Sequence, residues 1–360
     1  MPKSYGTVLV TGANGGLGSA IVSKIVSTTE LRAYHGIYTV RNAAAATPAL
    51  DTALRQAEVL PAISTAPPHS YDKLSLDLSQ LSHVREVAKM INSRVAAGEL
   101  PPIRAVVLNA GHQEFGTQTW TSDGLDTTFV VNYLSHWLLL LLLLRSMDRE
   151  NGRVVWISSW SHNRDHPFQL HVDAYKDKYS TVISDSLEPI ANGTWSANKD
   201  DDTAWAAGYR RYGASKLCSM TMLQELQRRL DQDPVLNNIS VLAVDPGTMA
   251  TDIVRRSNSW FIRVLMFKIL LPALVTVLTC FYPDGPFRTP KKSAGDVVAA
   301  AFDCGPPPLR ERPKGLYLDG SKLGEYSPDA KDPMKREVVW KGSVQYAQLK
   351  EGESVLKMWE

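Results

Sequence analysis

The chain has 360 residues, 44% hydrophobic and 21% charged, with a formal net charge of +2. A core of this size needs neither disulfides nor metal, and so small a net charge gives no strong pull on nucleic acid or an anionic membrane. Cys218, Cys280 and Cys304 show no paired spacing, which argues against a disulfide framework or a zinc site and fits a reducing, cytoplasmic setting. Residues 1–6 are too few and too polar for a signal peptide.

In chain order, Thr7–Val10 is a β-branched run that meets a glycine-rich turn, and 19–27 has helical spacing. A second strand is expected over 37–40, and a third ends near Leu74 and Leu76. A helix over 84–96 precedes a strand at 105–108, and the very apolar helix 132–147 precedes the strand Arg153–Ile157. A strongly helical segment at 216–230 leads to the apolar strand 239–244. Strands alternating with helices of this length predict an α/β architecture: a doubly wound, Rossmann-type parallel sheet covered on both faces. The expected organisation is one dinucleotide-binding catalytic domain over 1–255, a substrate lid and last sheet elements over 256–320, and a tail at 321–360 packed on the same domain.

Thr11-Gly12-Ala13-Asn14-Gly15-Gly16-Leu17-Gly18 lies between the first strand and the first helix. Phosphate oxygens need backbone N–H groups at a helix N-terminus, and close approach needs positions without a Cβ. The spacing departs from G-x-G-x-x-G, so a plain strand–helix turn is the competing reading. Arg41 follows the second strand, and no acidic residue occurs between Glu30 and Asp51. A guanidinium there can hold a 2′-phosphate that a carboxylate would repel, which favours NADP(H). Arg41 as a plain surface arginine is the alternative.

These pieces, together with Asp77, Asn109-Ala110-Gly111, Asn132, Ser159, Tyr212 to Lys216 and Pro246-Gly247, resemble the short-chain dehydrogenase/reductase family over most of residues 5–255. The stretch Arg211-Tyr212-Gly213-Ala214-Ser215-Lys216-Leu217 and a tail containing Trp340 look most like retinol-dehydrogenase-type members and fungal secondary-metabolite ketoreductases. Carbonyl reduction needs a hydride donor on one side and a proton donor on the other. A free tyrosine, with a pKa of about 10, exchanges protons poorly near neutrality. A neighbouring ammonium stabilises the phenolate and pulls that value down. Of 13 tyrosines, only Tyr212 and Tyr346 have lysine four residues on, and Tyr346 lies in the polar tail. On a helix, Tyr212 and Lys216 share one face.

Ser159 ends a strand, where ligands bind in open α/β sheets, and its hydroxyl can donate to the substrate oxygen. Ser158 is the neighbouring candidate, and the resemblance favours Ser159. The resemblance also implies a role for Asn132 in orienting Lys216 through its backbone and a water. The competing reading is a polar side chain satisfied within an apolar helix. By the same resemblance, the cofactor contacts are Gly12, Asn14, Gly15, Gly16, Leu17 and Gly18 at the turn, and Arg41 beyond it. Asp77 and Leu78 would lie near the adenine, with a strand-end cap as the plain alternative for Asp77. Asn109, Ala110 and Gly111 would admit the ribose, although Leu108 stands where members often have a second asparagine. Tyr212 and Lys216 would also touch the cofactor, and Pro246, Gly247 and Thr248 would close over the nicotinamide.

The chain departs from the family in two places. Ser159 and Tyr212 are 53 positions apart, so residues 162–208 form an insertion, read either as a solvated excursion or as a lid shaping the pocket. Its histidines, His162, His166 and His171, lack a metal-ligand pattern, and no metal is expected. The apolar run 260–282 is interrupted by Arg263, Lys268 and Pro272, so it does not read as a membrane span. It is expected to cover a lipophilic small-molecule substrate such as a polyketide, retinoid or steroid, with peripheral membrane contact as the runner-up. Leu138 to Leu144 read as core, on a helix that in this family often forms a dimer interface, so a homodimer is a further expectation. Two other functions stand beside the redox one: a non-redox isomerase, cyclase or NADP sensor, and a membrane-surface scaffold.

Overall fold

The computed structural model describes residues 5–59, 68–114, 116–167, 172–197, 204–249 and 271–360. The first half contains β1 (Thr7–Val10), α1 (Gly16–Ser27), β2 (His35–Val40), α2 (Pro48–Val59), β3 (Tyr71–Ser75), α3 (Leu81–Ala96), β4 (Ile103–Leu108), α4 (Thr127–Phe129), α5 (Ser135–Leu143) and β5 (Arg153–Ile157). After it come α6 (Glu188–Ala191), α7 (Ala204–Gln232), β6 (Ser240–Asp245), α8 (Leu271–Phe281) and α9 (Pro290–Phe302). The chain closes with β7 (Tyr317–Asp319), β8 (Lys322–Leu323), α10 (Pro328–Lys331) and α11 (Pro333–Ala347).

One eight-stranded sheet runs in the order β3-β2-β1-β4-β5-β6-β7-β8. It is parallel through β7, and β8 adds antiparallel to that edge. Strand order reverses between β1 and β4, which opens a crevice at the carboxyl edge where ligands of doubly wound sheets bind. The inner strands β1, β4, β5 and β6 are buried on both faces because helices cover both. Val8, Val10, Tyr38, Val155 and Val244 face one core with residues of α1, α2 and α9, while Leu9, Ile37, Val106, Val154 and Val241 face the other with α3, α5, α7 and α11.

Three elements differ from the sequence expectation in ways that matter for the site. The first helix starts at Gly16 rather than 19, because its N-terminal turn is built of the glycines themselves. The helix expected over 132–147 is α4 and α5 joined by a π-helical turn, Val130–Leu134, with Asn132 inside it. The catalytic-segment helix begins at Ala204 rather than 216, so the last residues assigned to the insertion are helical and Tyr212 lies within α7. Among the described residues, one helical stretch, Thr127–Ser146, has the length and apolarity to cross a membrane, but 94% of it is buried inside the fold. Leu138 to Leu144 are accordingly core.

Candidate active site

The glycine turn is shaped by backbone crowding. Gly12 has φ +66°, and a Cβ there would lie 2.9 Å from Ala110 Cα; a Cβ on Gly18 would lie 2.2 Å from the Gly12 carbonyl oxygen. Both positions therefore require glycine. No side chain caps α1, its first turn holds no acidic residue, and Gly15 and Gly16 are exposed. An uncapped helix start of this kind leaves N–H groups and a positive dipole end for a phosphate, so the residues fit a dinucleotide. The Asn14 side-chain oxygen accepts from Ala49 N and Leu50 N, both at 3.1 Å, and caps α2.

Thr11 joins this turn to the end of β4. Its hydroxyl oxygen accepts from Asn109 N (2.9 Å) and Ala110 N (3.0 Å), and Asn109 Nδ2 donates back to Thr11 O (2.8 Å). A Cβ on Gly111 would meet Asn132 Oδ1 at 3.9 Å, an ordinary van der Waals contact. Asp77 accepts from Ser79 N, Ser79 Oγ and Gln80 Nε2, so its carboxylate serves as the strand-end cap. Burial would raise its pKa, but those hydrogen bonds and the nearby charge of Arg41 hold it below the ordinary value. Leu78 is buried, and its carbonyl accepts from Ser135 Oγ at 2.6 Å. Arg41 is exposed at the end of β2.

At the carboxyl edge of β5, the Ser159 hydroxyl lies beside Tyr212 and accepts from Ser161 N. Ser158 is instead buried, and its hydroxyl makes no hydrogen bond among the described residues. Lys216 follows Tyr212 by one helical turn, its Nζ 5.5 Å from the centroid of the phenol ring and donating to Ile157 O at 2.8 Å. Burial lowers the Lys216 pKa to about 8, against an opposing pull from Asp245. Burial and the Asp245 charge raise that of Tyr212, which the Ser159 hydrogen bond partly offsets. The structure thus brings a hydroxyl, a phenol and an ammonium to one strand end.

Asn132 and His136 lie behind this group. Asn132 Oδ1 accepts from His112 N (2.6 Å), while its Nδ2 donates to His112 O (2.8 Å) and Ser215 Oγ (3.1 Å). The side chain is thereby satisfied locally and ties the β4 exit to α7. His136, which sequence reasoning passed over, lies 3.0 Å from Thr11 Oγ1 through Nε2 and 3.4 Å from Asn132 O through Nδ1. Burial and the Lys216 charge lower its pKa to about 3, so it is neutral.

The described part of the insertion is anchored by buried residues such as Tyr175, Ile183 and Ile190, while Lys176, Ser184 and Glu188 are exposed. Arg210 Nε donates to Ser196 Oγ (2.8 Å), its Nη1 donates to Ala174 O (3.1 Å), and its guanidinium stacks 3.7 Å above the Tyr179 ring. Arg211 Nη1 donates to Ser196 O at 2.6 Å. Tyr175 fits flush against Gly213, where a Cβ would approach its hydroxyl to 2.1 Å. The two residues before Tyr212 and the one after it therefore hold the insertion. Its residues 168–171 and 198–203 lie outside the described ones, as do 256–270 of the expected lid. His162 is neutral, with a pKa lowered to about 4 by burial. Its Nδ1 meets Ser159 O at 2.7 Å, and its Nε2 accepts from Ser327 N.

Beyond β6, Pro246 O accepts from Ser293 Oγ (2.6 Å), Gly247 N donates to Asp245 Oδ1 (2.7 Å), and Thr248 N donates to Pro286 O (2.7 Å). Arg288 is fully buried. Its Nη1 donates to Asp245 O at 2.8 Å, and its Nη2 bonds Asp284 O and the Asp319 carboxylate. Neither Asp245 nor Arg288 was marked by any sequence signal, because their burial and bonding depend on partners distant in the chain.

A dinucleotide cradle beside a phenol–ammonium pair, both at one sheet edge, is the site of a dinucleotide-binding oxidoreductase. A profile of the family described as short chain dehydrogenase matches residues 6–171. The chain is 44% identical over 378 positions to the short-chain dehydrogenase iccH of Talaromyces variabilis, covering 99% of this chain and 100% of that protein. Its fold is similar to that of BdcA in complex with NADPH (TM-score 0.52, 18% identity, 90% of this chain and 97% of that one). It is also similar to NADPH-bound carbonyl reductase from chicken fatty liver (TM-score 0.52, 15% identity, 89% and 98% covered). The chain belongs to the short-chain dehydrogenase/reductase family and is an oxidoreductase.

Proposed function

We propose that the protein is an NADP(H)-dependent ketoreductase or alcohol dehydrogenase acting on a lipophilic small molecule, in a role akin to fungal secondary metabolism. The observation that carries this reading is the contact of Ser159 with Tyr212 above the buried Lys216. Bound NADPH supplies the hydride. Ser159 holds the substrate oxygen by a hydrogen bond, and Tyr212 gives its hydroxyl proton to that oxygen as negative charge develops. Lys216 stabilises the phenolate left behind. In the oxidative direction, the same phenolate takes the proton back. The apolar side chains of Val277, Phe281 and Tyr282, exposed on and beside α8, support a lipophilic substrate.

The purified protein is expected to consume NADPH with at least one member of a panel of lipophilic ketones and aldehydes. No turnover across aromatic polyketide, retinoid and steroid carbonyls would refute the reading. For the cofactor, Arg41 makes no salt bridge or hydrogen bond among the described residues, which leaves its guanidinium for a 2′-phosphate. Arg41→Asp should lower kcat/KM for NADPH by about 10- to 100-fold, the worth of a charged hydrogen-bonded contact, and narrow the gap to NADH. An unchanged NADPH/NADH ratio would remove Arg41 from the site.

A further inference from the structure

β5 ends at Ile157. Ser158 still donates its N–H to Val244 O of β6 at 2.9 Å, so Ser159 is the first residue past the ladder and its carbonyl needs another donor. That donor is His162. One 3-10 turn, Trp160–His162, brings the His162 N–H to Ser159 O at 3.1 Å and folds the ring back until Nδ1 meets the same oxygen at 2.7 Å. Inside the turn, Ser161 N donates to Ser159 Oγ at 3.3 Å, so the hydroxyl is tied to the same stretch of backbone that the ring holds. On its far side the ring accepts at Nε2 from Ser327 N (3.3 Å), just ahead of α10. We propose that His162 is a positioning residue: its imidazole, held between the Ser159 carbonyl and the Ser327 N–H, fixes the strand end that presents the Ser159 hydroxyl to the substrate oxygen. This rests on the reductase reading above and extends it to a residue outside the Ser–Tyr–Lys group.

The two contacts agree on one tautomer. A neutral imidazole carries a single proton, the Ser159 carbonyl can only accept, and the Ser327 N–H can only donate. The proton therefore sits on Nδ1 and the lone pair on Nε2. The Glu325 carbonyl also bears on the ring and would draw a proton to Nε2. That arrangement would aim the new N–H at the Ser327 N–H and leave two acceptors, Nδ1 and Ser159 O, only 2.7 Å apart. Burial keeps the ring neutral, so it does not serve both carbonyls at once. Its faces are confined as well: Tyr317 of β7 meets it edge-on with centroids 4.8 Å apart, and Tyr326 does so at 6.5 Å. At 2% exposed, the imidazole is a strut between the end of β5 and the segment joining β8 to α10. Without it the Ser159 peptide can rotate and carry Oγ away from the substrate oxygen. A displacement of about 1 Å in such a group can cost about 100-fold in rate.

The test compares three substitutions in the full-length protein. His162→Leu keeps similar bulk and removes both contacts, and kcat at saturating NADPH should fall by about 10- to 100-fold. His162→Asn places its amide nitrogen where Nδ1 stands and keeps the donor to Ser159 O, so it should recover most of that loss. His162→Gln reaches instead to the place of Nε2, where its amide oxygen accepts from Ser327 N, and it should remain about as slow as the leucine variant. NADPH affinity should stay near wild type in all three, because the phosphates bind at the start of α1. A merely structural histidine would make activity follow melting temperature, and the Asn and Gln variants, each keeping one of the two contacts, should melt alike. Equal kcat for these two, or a faster Gln variant, would overturn the proposal. If none of the three folds, the wild type decides: nitrogen-15 NMR with NADPH bound should show the His162 ring protonated at Nδ1 and bare at Nε2, and the reverse pattern would overturn it. A wild-type protein that binds NADPH yet reduces no carbonyl would refute the reductase reading alone, and the ring pattern would still decide the hold on Ser159.

Discussion

Tyr212→Phe should reduce NADPH-driven turnover by about 100- to 10,000-fold, the usual worth of a positioned general acid. The substitution removes one oxygen and leaves the ring in place above Lys216, so packing changes little. It deletes the proton donor and breaks the contact with Ser159. NADPH affinity should stay within about two- to threefold, because phosphate binding resides at the start of α1 and not at this hydroxyl. The loss should fall on kcat and on kcat/KM alike, as it does when an interaction is made chiefly in the transition state. Single-turnover kinetics with saturating NADPH are the measurement. Retention of wild-type kcat would move the acid to another group and leave Ser159 and Lys216 without a function in proton transfer.

Much of this site was legible because short-range sequence patterns carry it. The turn at 11–18 and the Tyr212–Lys216 pair each depend on spacing within one strand–helix unit or one helical turn. Parallel pairing of the strands through β6 follows from the alternation of elements, and the structure shows that order. What was not legible depends on residues far apart in the chain. Asn14 looks like part of a phosphate loop, yet α2 begins close enough for Asn14 to become its cap, and no periodicity announces that contact. The insertion reads as polar, but Arg210 and Arg211 turn their charges inward onto Ser196 and Ala174. Asp245 looks like an ordinary strand-end acid until β7 and Arg288 enclose it. In each case tertiary partners overrode a correct local pattern, as is expected where function depends on buried polar groups.

The largest stability effect is expected at Trp340. α11 turns Val339, Trp340, Gly342, Ser343 and Ala347 inward, and Trp340 is the largest of these side chains. Trp340 is fully buried and meets Trp137 of the leucine-rich α5 edge to face, with ring centroids 5.6 Å apart. Its other face carries the Arg229 guanidinium at 4.0 Å, and its indole N–H donates to Trp359 O at 2.9 Å. Arg229 in turn bonds Glu225 (2.7 Å) and the backbone carbonyls of Met358 and Glu360. One indole thus joins α5, α7, α11 and the last residues of the chain. Trp340→Ala should lower unfolding free energy by about 3–5 kcal/mol, through lost burial and the cavity left behind, read from the midpoint of urea unfolding at unchanged m-value. Trp359→Ala provides the comparison: that side chain is half-exposed and only its carbonyl serves Trp340, so its effect should be much smaller. Equal losses for the two would show that the C-terminal chain, and not the buried indole, provides the anchorage. Activity per folded molecule should survive in both, because Arg229 lies 17 residues along α7 from Tyr212, about 25 Å at the helical rise. The same helix therefore secures the tail at one end and holds the proton donor at the other, and the two functions should separate by mutation.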